Sequence, residues 1–128
     1  MKPSEARRGS PKPIVWIGDS LETLRSFPKP VRDVIGFALY EAQLGGKHVD
    51  AKPLKGYGSG LLEVVSDHRG DTFRAVYTVR LRDRIYVLHT FQKKSKSGIA
   101  TPKHELMLVE RRLKRAIELH AEHEGEDE

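Results

Sequence analysis

The chain has 128 residues, a formal net charge of +5 at neutral pH and an isoelectric point near 9.6. It lacks cysteine, which excludes disulfides, thiolate nucleophiles and zinc–thiolate sites, and it lacks an apolar run of about 18 residues, which predicts no membrane span. The length suits one domain with its own core. The charge favours an acidic partner, nucleic acid first, although many soluble domains are equally basic. We expect a cytoplasmic protein.

The N-terminal third predicts a tail, a strand and two helices. Residues 1–12 are polar and proline-containing, which is typical of a disordered tail. A short buried strand follows at Ile14–Gly18. Asp19 then offers an N-cap with Glu22 as its capping-box partner, for a helix that ends at Pro28. A second, amphipathic helix opens at Pro30 and stops at the glycine pair 45–46.

The rest of the chain predicts a loop, three strands and a helix. Residues 47–60 are rich in glycine and lysine and read as a loop. Strand-like runs follow at Leu61–Ser66, Thr72–Leu81 and Arg84–Phe91, separated by the turns "DHRG" and "RD". The last helix begins at Thr101-Pro102. Its predicted buried stripe comprises Leu106, Val109, Leu113, Ala116, Ile117 and His120.

The predicted order is therefore β-α-α-β-β-β-α, an α+β fold with an N-terminal helix hairpin, a small antiparallel-dominated sheet and a C-terminal helix. The domain is expected to span residues 13–121. Residues 118–128 hold six acids and neither lysine nor arginine, and we expect an acidic tail at 122–128.

The turns suggest a register for the sheet. Pairing Ser66 with Asp71 sets Glu63 opposite Arg74. Pairing Leu81 with Arg84 sets Arg74 opposite Phe91 and Val76 opposite His89. Since side chains alternate along a strand, one face then carries Glu63, Arg74, His89 and Phe91. The opposite, apolar face then carries Leu62, Val64, Phe73, Ala75, Tyr77, Val79, Tyr86 and Leu88.

Lysines gather at one end of this face. Lys93, Lys94 and Lys96 follow the last strand directly, and Lys52 and Lys55 lie in the loop before the first of the three. A cluster of lysines beside a histidine is typical of a site that binds phosphate. Each part also has an ordinary explanation: Glu63 and Arg74 as a sheet salt bridge, His89 as a satisfied sheet histidine, and the lysines as solubilising charges.

Other chemistries have little support. The spacing of a P-loop is absent, which argues against nucleoside triphosphate binding. The six histidines lack the spacing of a metal-binding helix, and no serine has an evident histidine and aspartate partner set. We expect neither a metal nor another cofactor.

A set of motifs runs from Lys52 to Ala116: "KPL" followed by "LLE", then "FRAVY", "LHTFQKKS" and "TPKHEL". As an ensemble they resemble the HigB-like branch of the RelE/ParE toxin superfamily. The segment "KSGIATP" departs from that pattern, because a shorter Lys-Thr link is usual there.

The resemblance implies the toxin of a type II toxin–antitoxin pair, often a ribosome-dependent mRNA endonuclease. It implies as partners the ribosome, mRNA and a cognate antitoxin, a HigA-like protein with a helix-turn-helix domain. ParE-like relatives poison gyrase instead, so a non-catalytic, protein-directed toxin is the alternative.

Metal-free RNA cleavage assigns roles to the residues of this face. Arg74 is expected to stabilise the negative charge of the transition state, and Glu63 to hold the Arg74 side chain in place. Lys55, Lys93 and Lys94 add positive field, and His89 is the candidate for proton transfer, as base or acid. A crowded lysine whose pKa is lowered is the alternative for this role. The expected RNA-binding residues are Lys52, Tyr57, Lys96 and Lys103. Tyr57 would stack on a base, although simple packing also explains it.

Overall fold

A computed structural model describes residues 11–57, 60–93 and 101–126. Within these ranges the elements run β1 (Ile14–Trp16), α1 (Ser20–Arg25), α2 (Lys29–Gln43), β2 (Ala51–Pro53), β3 (Leu61–His68), β4 (Asp71–Thr78), β5 (Ile85–Lys93) and α3 (Lys103–Glu126). The predicted α+β order is confirmed, with one strand added. Strand β2 lies in the segment predicted as a loop, because three residues are too few to show a periodic pattern.

The sheet has the order β1-β5-β4-β3-β2. Strand β1 pairs in parallel with β5, and the other pairs are antiparallel. Strand β2 lies at the edge and ends in Pro53, which has no backbone N–H to offer a further strand. The helix hairpin covers one face of this sheet and α3 covers the other.

The turn between β3 and β4 corrects the predicted register. His68 pairs with Asp71 around a two-residue turn, in which Arg69 and Gly70 both have positive φ. Arg74 therefore lies opposite Val65, and Glu63 lies two residues earlier in β3. The predicted register is wrong because Asp67 and His68 of "DHRG" belong to β3, and only Arg69 and Gly70 form the turn. A slip of two residues preserves the face, so Glu63 and Arg74 still point the same way.

Strand β5 contains a bulge. Arg74 pairs with Phe91 and Val76 with His89 as predicted, but Tyr77 pairs with Val87, which leaves Leu88 as the extra residue. The face changes at that point. Tyr86 and Leu88, predicted beside Tyr77, pack instead under α3. The predicted pairing of Leu81 with Arg84 is replaced by a turn, in which the Arg84 N–H donates to the Leu81 carbonyl at 3.0 Å.

The helices follow their apolar periodicity with two corrections. In α2 the buried positions are Val31, Ile35, Ala38, Leu39 and Ala42. At the start of α1 the Asp19 side chain makes no cap bond, so the predicted capping box does not form. In α3 Ile117 is 50% exposed because the helix turns that position away from the sheet. Helix α3 extends through Glu126, and no helix of the described ranges is long and apolar enough to cross a membrane.

The structure describes only part of the two predicted tails. Residues 1–10 of the predicted disordered tail lie outside the described residues, as do 127 and 128 of the acidic tail. Lys12 is hydrogen-bonded to the end of α2. Its backbone N–H donates to the Gln43 carbonyl at 2.9 Å, and the side-chain amide of Gln43 donates to the Lys12 carbonyl at 2.6 Å.

Candidate functional site

The centre of the polar face is a buried arginine. Arg74 is only 4% exposed, and its Nη1 donates to the Thr101 hydroxyl at 3.2 Å. The same nitrogen lies 3.4 Å from Glu63 Oε1, and Thr101 donates to Glu63 Oε2 at 2.7 Å. Each of the three side chains, which come from β4, β3 and the segment just before α3, thus contacts the other two. Burial makes the pairing obligatory, since an unpaired charge there would be costly.

A second network lies beside the first on β5. His89 Nε2 is 2.6 Å from Glu105 Oε1, and His89 Nδ1 is 3.2 Å from Arg112 Nη1. Arg112 also donates to the Leu88 carbonyl at 3.0 Å and to Asp19 Oδ1 at 2.8 Å. The bond from Arg112 holds the pKa of the Asp19 carboxyl below its usual range.

These contacts fix the tautomer of His89. A guanidinium can only donate hydrogen bonds, so Nδ1 must accept from Arg112. The proton of the neutral ring then sits on Nε2 and is donated to Glu105. The ring also stacks on Phe91, with centroids 5.0 Å apart. Both nitrogens of His89 are therefore engaged by protein side chains.

The predicted cationic residues fall into three groups. Lys52, Lys55 and Lys103 are exposed, and the backbone of Lys52 pairs with that of Glu63, which puts both on the face of Arg74. Lys93 lies two residues beyond Phe91 on that same face and is half-buried. Lys94 and Lys96 lie outside the described residues.

Tyr57, predicted to stack on a base, is tied to α3. Its hydroxyl donates to Glu110 Oε2 at 2.5 Å, and this bond, with burial, raises the pKa of the Tyr57 phenol to about 12. The ring also packs against the core beneath α3. The tyrosine links the loop after β2 to the helix.

Four residues of the two networks were not predicted as site residues: Asp19, Thr101, Glu105 and Arg112. Two of them, Thr101 and Glu105, stand in the motif "TPKHEL", which was the available signal. Asp19 and Arg112 are 93 positions apart in the chain, and no local pattern connects them.

The polar face combines cationic side chains with carboxylates. Across residues 11–57, 60–93 and 101–126, no group of three or more histidine or acidic side chains could hold a metal ion. This face carries the guanidinium of Arg74 from β4, and the guanidinium of Arg112 reaches His89 from α3, with Lys93 on β5 and Lys52 on β2.

Comparison with known proteins identifies the family. Residues 22–114 match the family described as "Phage derived protein Gp49-like (DUF891)". The chain belongs to this Gp49-like family. The match includes Glu63, Arg74, Thr101, Glu105 and Arg112, whereas Asp19 lies before it. No curated protein matches the chain in sequence.

Solved structures show what the Gp49-like chain resembles in fold. A mutant of the Escherichia coli toxin RelE in the free state is similar with a TM-score of 0.53, at 16% identity, over 82% of this chain and 97% of that one. The toxin–antitoxin complex RelBE2 from Mycobacterium tuberculosis reaches a TM-score of 0.44, at 16% identity, over 68% of this chain and 97% of that one. The first of these confirms the predicted RelE-like fold.

Proposed function

We propose that this Gp49-like protein is the toxin of a toxin–antitoxin pair, of the HigB-like branch, and that it cleaves ribosome-bound mRNA without a metal. The RelE-like fold and the motifs between Lys52 and Ala116 support the proposal. The observation that carries it is the position of Arg74, fixed by Glu63 and Thr101 on the sheet face from which Lys93 leads into the lysine-rich segment.

The chemistry requires a ribose 2′-hydroxyl to attack the adjacent phosphate. A guanidinium held in one orientation stabilises the extra negative charge of the transition state without reorganising. Arg74 fills this role, and Thr101 leaves its Nη1 when the phosphate arrives. Glu63 keeps the guanidinium of Arg74 aligned while the phosphate replaces Thr101. Lys52, Lys55, Lys93 and Lys94 supply positive field around it, and Lys96 and Lys103 extend the contact along the RNA.

The partners follow from the same proposal. The antitoxin is a HigA-like protein with a helix-turn-helix domain, encoded beside the toxin. The substrate is mRNA on the ribosome, and the protein acts in the cytoplasm. Expression without the antitoxin should arrest growth, and co-expression should restore it.

One observation favours a second candidate function, a toxin that binds a protein target such as gyrase. Arg74 and His89 are both buried and engaged by protein side chains. An enzyme must uncover these groups to use them, whereas a binding protein would use its outer surface and leave them in place.

Primer extension on cellular mRNA after brief induction separates the two functions. Cuts within translated regions support the ribonuclease, and purified protein should then reproduce them on programmed ribosomes. Intact mRNA together with an SOS response would support the gyrase-directed alternative and overturn the ribonuclease.

A further inference from the structure

A carboxylate lies between two histidines at the start of α3. Glu105 Oε1 is 2.6 Å from His89 Nε2, and Glu105 Oε2 is 3.4 Å from His104 Nε2. The two imidazoles differ sharply in access to solvent, because the side chain of His89 is 7% exposed and that of His104 is 78% exposed. The buried ring can support the carboxylate, and the exposed ring can meet a substrate.

The buried network determines how Glu105 is used. Because Arg112 donates to His89 Nδ1, the proton of His89 is on Nε2 and is donated to Glu105 Oε1. Arg112 is itself held by Asp19 and by the Leu88 carbonyl. Glu105 is thus fixed through Oε1, and its Oε2 lies 3.4 Å from His104 Nε2.

A carboxylate held in this way selects one form of its neighbour. An imidazole that donates Nε2–H to Glu105 keeps a lone pair on Nδ1, which is the form of histidine that accepts a proton. At 3.4 Å the two side chains are within ion-pair range without forming a hydrogen bond, and catalytic contacts often tighten only when substrate binds. The exposed first-turn position lets the ring move the remaining few tenths of an ångström.

We propose that His104, and not His89, is the general base of RNA cleavage, and that Glu105 positions it. This proposal rests on the ribonuclease function proposed above. It assigns to the residue pair 104–105 the proton-transfer role for which the buried ring of His89 has no free nitrogen. His89 and Arg112 then act as positioning residues for Glu105.

The step balances in atoms and protons. Neutral His104 takes the proton of the ribose 2′-hydroxyl through Nδ1, and the 2′-oxygen forms a bond to phosphorus. The bond from phosphorus to the 5′-oxygen breaks, and that oxygen takes a proton from water. The hydroxide so formed removes the proton from His104. The products are a 2′,3′-cyclic phosphate and a 5′-hydroxyl, and the enzyme is regenerated.

Single-turnover cleavage of mRNA on programmed ribosomes, followed from acidic to alkaline pH, tests the assignment. His104→Gln removes the base, and His104→Arg keeps a positive charge that cannot accept a proton. Glu105→Gln weakens the positioning contact. His68→Gln, on the β3–β4 hairpin and outside both networks, is the matched control. Thermal unfolding of each variant verifies that it is folded.

We expect both His104 variants to be folded and about 100-fold slower or more, the usual size of a general-base effect. The histidine limb of the pH profile should disappear in both. Glu105→Gln should retain that limb at a reduced rate, and His68→Gln should match the wild type. Activity within about threefold of wild type in His104→Gln, or rescue by His104→Arg, would overturn the assignment. If the wild-type protein cleaves no ribosome-bound mRNA, the ribonuclease function itself fails.

Discussion

The guanidinium of Arg112 occupies the space that a side chain at Gly18 would need. A Cβ atom on Gly18 would lie 2.8 Å from Arg112 Cζ and 2.9 Å from its Nε and Nη2. Gly18 also has φ +58°, a conformation that glycine adopts without penalty. The glycine after β1 thus allows α3 to lay a charged side chain across the start of α1.

Gly18→Ala should therefore destabilise the protein in two ways. The positive φ costs about 1 kcal/mol, and displacing Arg112 costs about 1–3 kcal/mol more, as for other overpacked sites. Gly45→Ala is the matched control, since Gly45 has φ +89° and no atom within 4 Å of the added carbon. Urea unfolding of both variants measures the difference. Equal losses would mean that Arg112 moves aside freely.

The pair of Arg74 and Glu63 offers a test of burial. Arg74→Met should lower the free energy of unfolding by about 3 kcal/mol, because it leaves a nearly buried carboxylate without its cation. Arg115 and Glu118 are separated by the same 3.4 Å but are exposed, so Arg115→Met should cost less than about 0.5 kcal/mol.

A double-mutant cycle with Glu63→Gln isolates the interaction within the Arg74 pair. The double variant should lose less than the sum of the single losses, since the neutral amide needs no cation. Strict additivity, measured by urea unfolding, would contradict a direct interaction.

Lys93 and Lys94 should bind phosphate with little part in stability. Replacing both with Gln should change the free energy of unfolding by under about 0.5 kcal/mol. It should weaken ribosome or RNA binding and make its salt dependence shallower, by up to roughly one unit of slope per lost contact. Lys29→Gln with Lys47→Gln removes the same charge at the other helix layer and should leave the slope unchanged. An equal slope in all three proteins would mark the strand-end lysines as solubilising charges.

Tyr77 should make the protein sensitive to alkali. Its hydroxyl is buried, has no hydrogen-bond partner among the residues that the structure describes, and burial raises its pKa to about 12. The unfolded chain ionises near pH 10, so stability is complete below pH 10 and falls as the pH rises towards 12, by about 2 kcal/mol. In pH-dependent urea unfolding, Tyr77→Phe should remove the contribution of Tyr77 to this decline and leave that of Tyr57, whose pKa is also raised to about 12.

At neutral pH the same variant, Tyr77→Phe, should be as stable as the wild type or about 1 kcal/mol more stable, because it removes an unsatisfied hydroxyl. Tyr57→Phe is a useful comparison, since Tyr57 has a bond to Glu110 to lose. A marked loss of stability in Tyr77→Phe would show that the hydroxyl has a favourable role.

The helices and strands could be predicted where the sequence shows a repeating or continuous apolar pattern. Helix α2 shows its apolar stripe over four turns and β3 alternates in part, whereas β4 and β5 were predicted as runs of β-branched, aromatic and other apolar residues bounded by turn signals. The register between β3 and β4 could not be predicted from the sequence, because "DHRG" fits a four-residue loop as well as a two-residue turn. The bulge at Leu88 was not readable either, since β5 is buried on both faces and therefore has little alternation to interrupt.

The candidate site was predictable in its sheet half alone. Alternation brought Glu63, Arg74 and His89 to one face despite the wrong pairing of β3 with β4. Thr101, Glu105 and Arg112 were missed because they reach that face through the docking of α3 on the sheet. The angle and register of that docking depend on the whole core, which a local pattern does not encode.

The position of β1 has a consequence for synthesis of the chain. Among the strands of the described ranges this one pairs only with β5, and the bond from Thr90 to the Ser20 carbonyl joins residues 70 positions apart. On the ribosome, the first strand must wait until most of the polypeptide has emerged. Long-range pairing of this kind slows folding. We expect the hairpins of β3, β4 and β5 to form early and the N-terminal strand to dock last, so that a nascent chain stopped before residue 85 exposes the edge of an incomplete sheet.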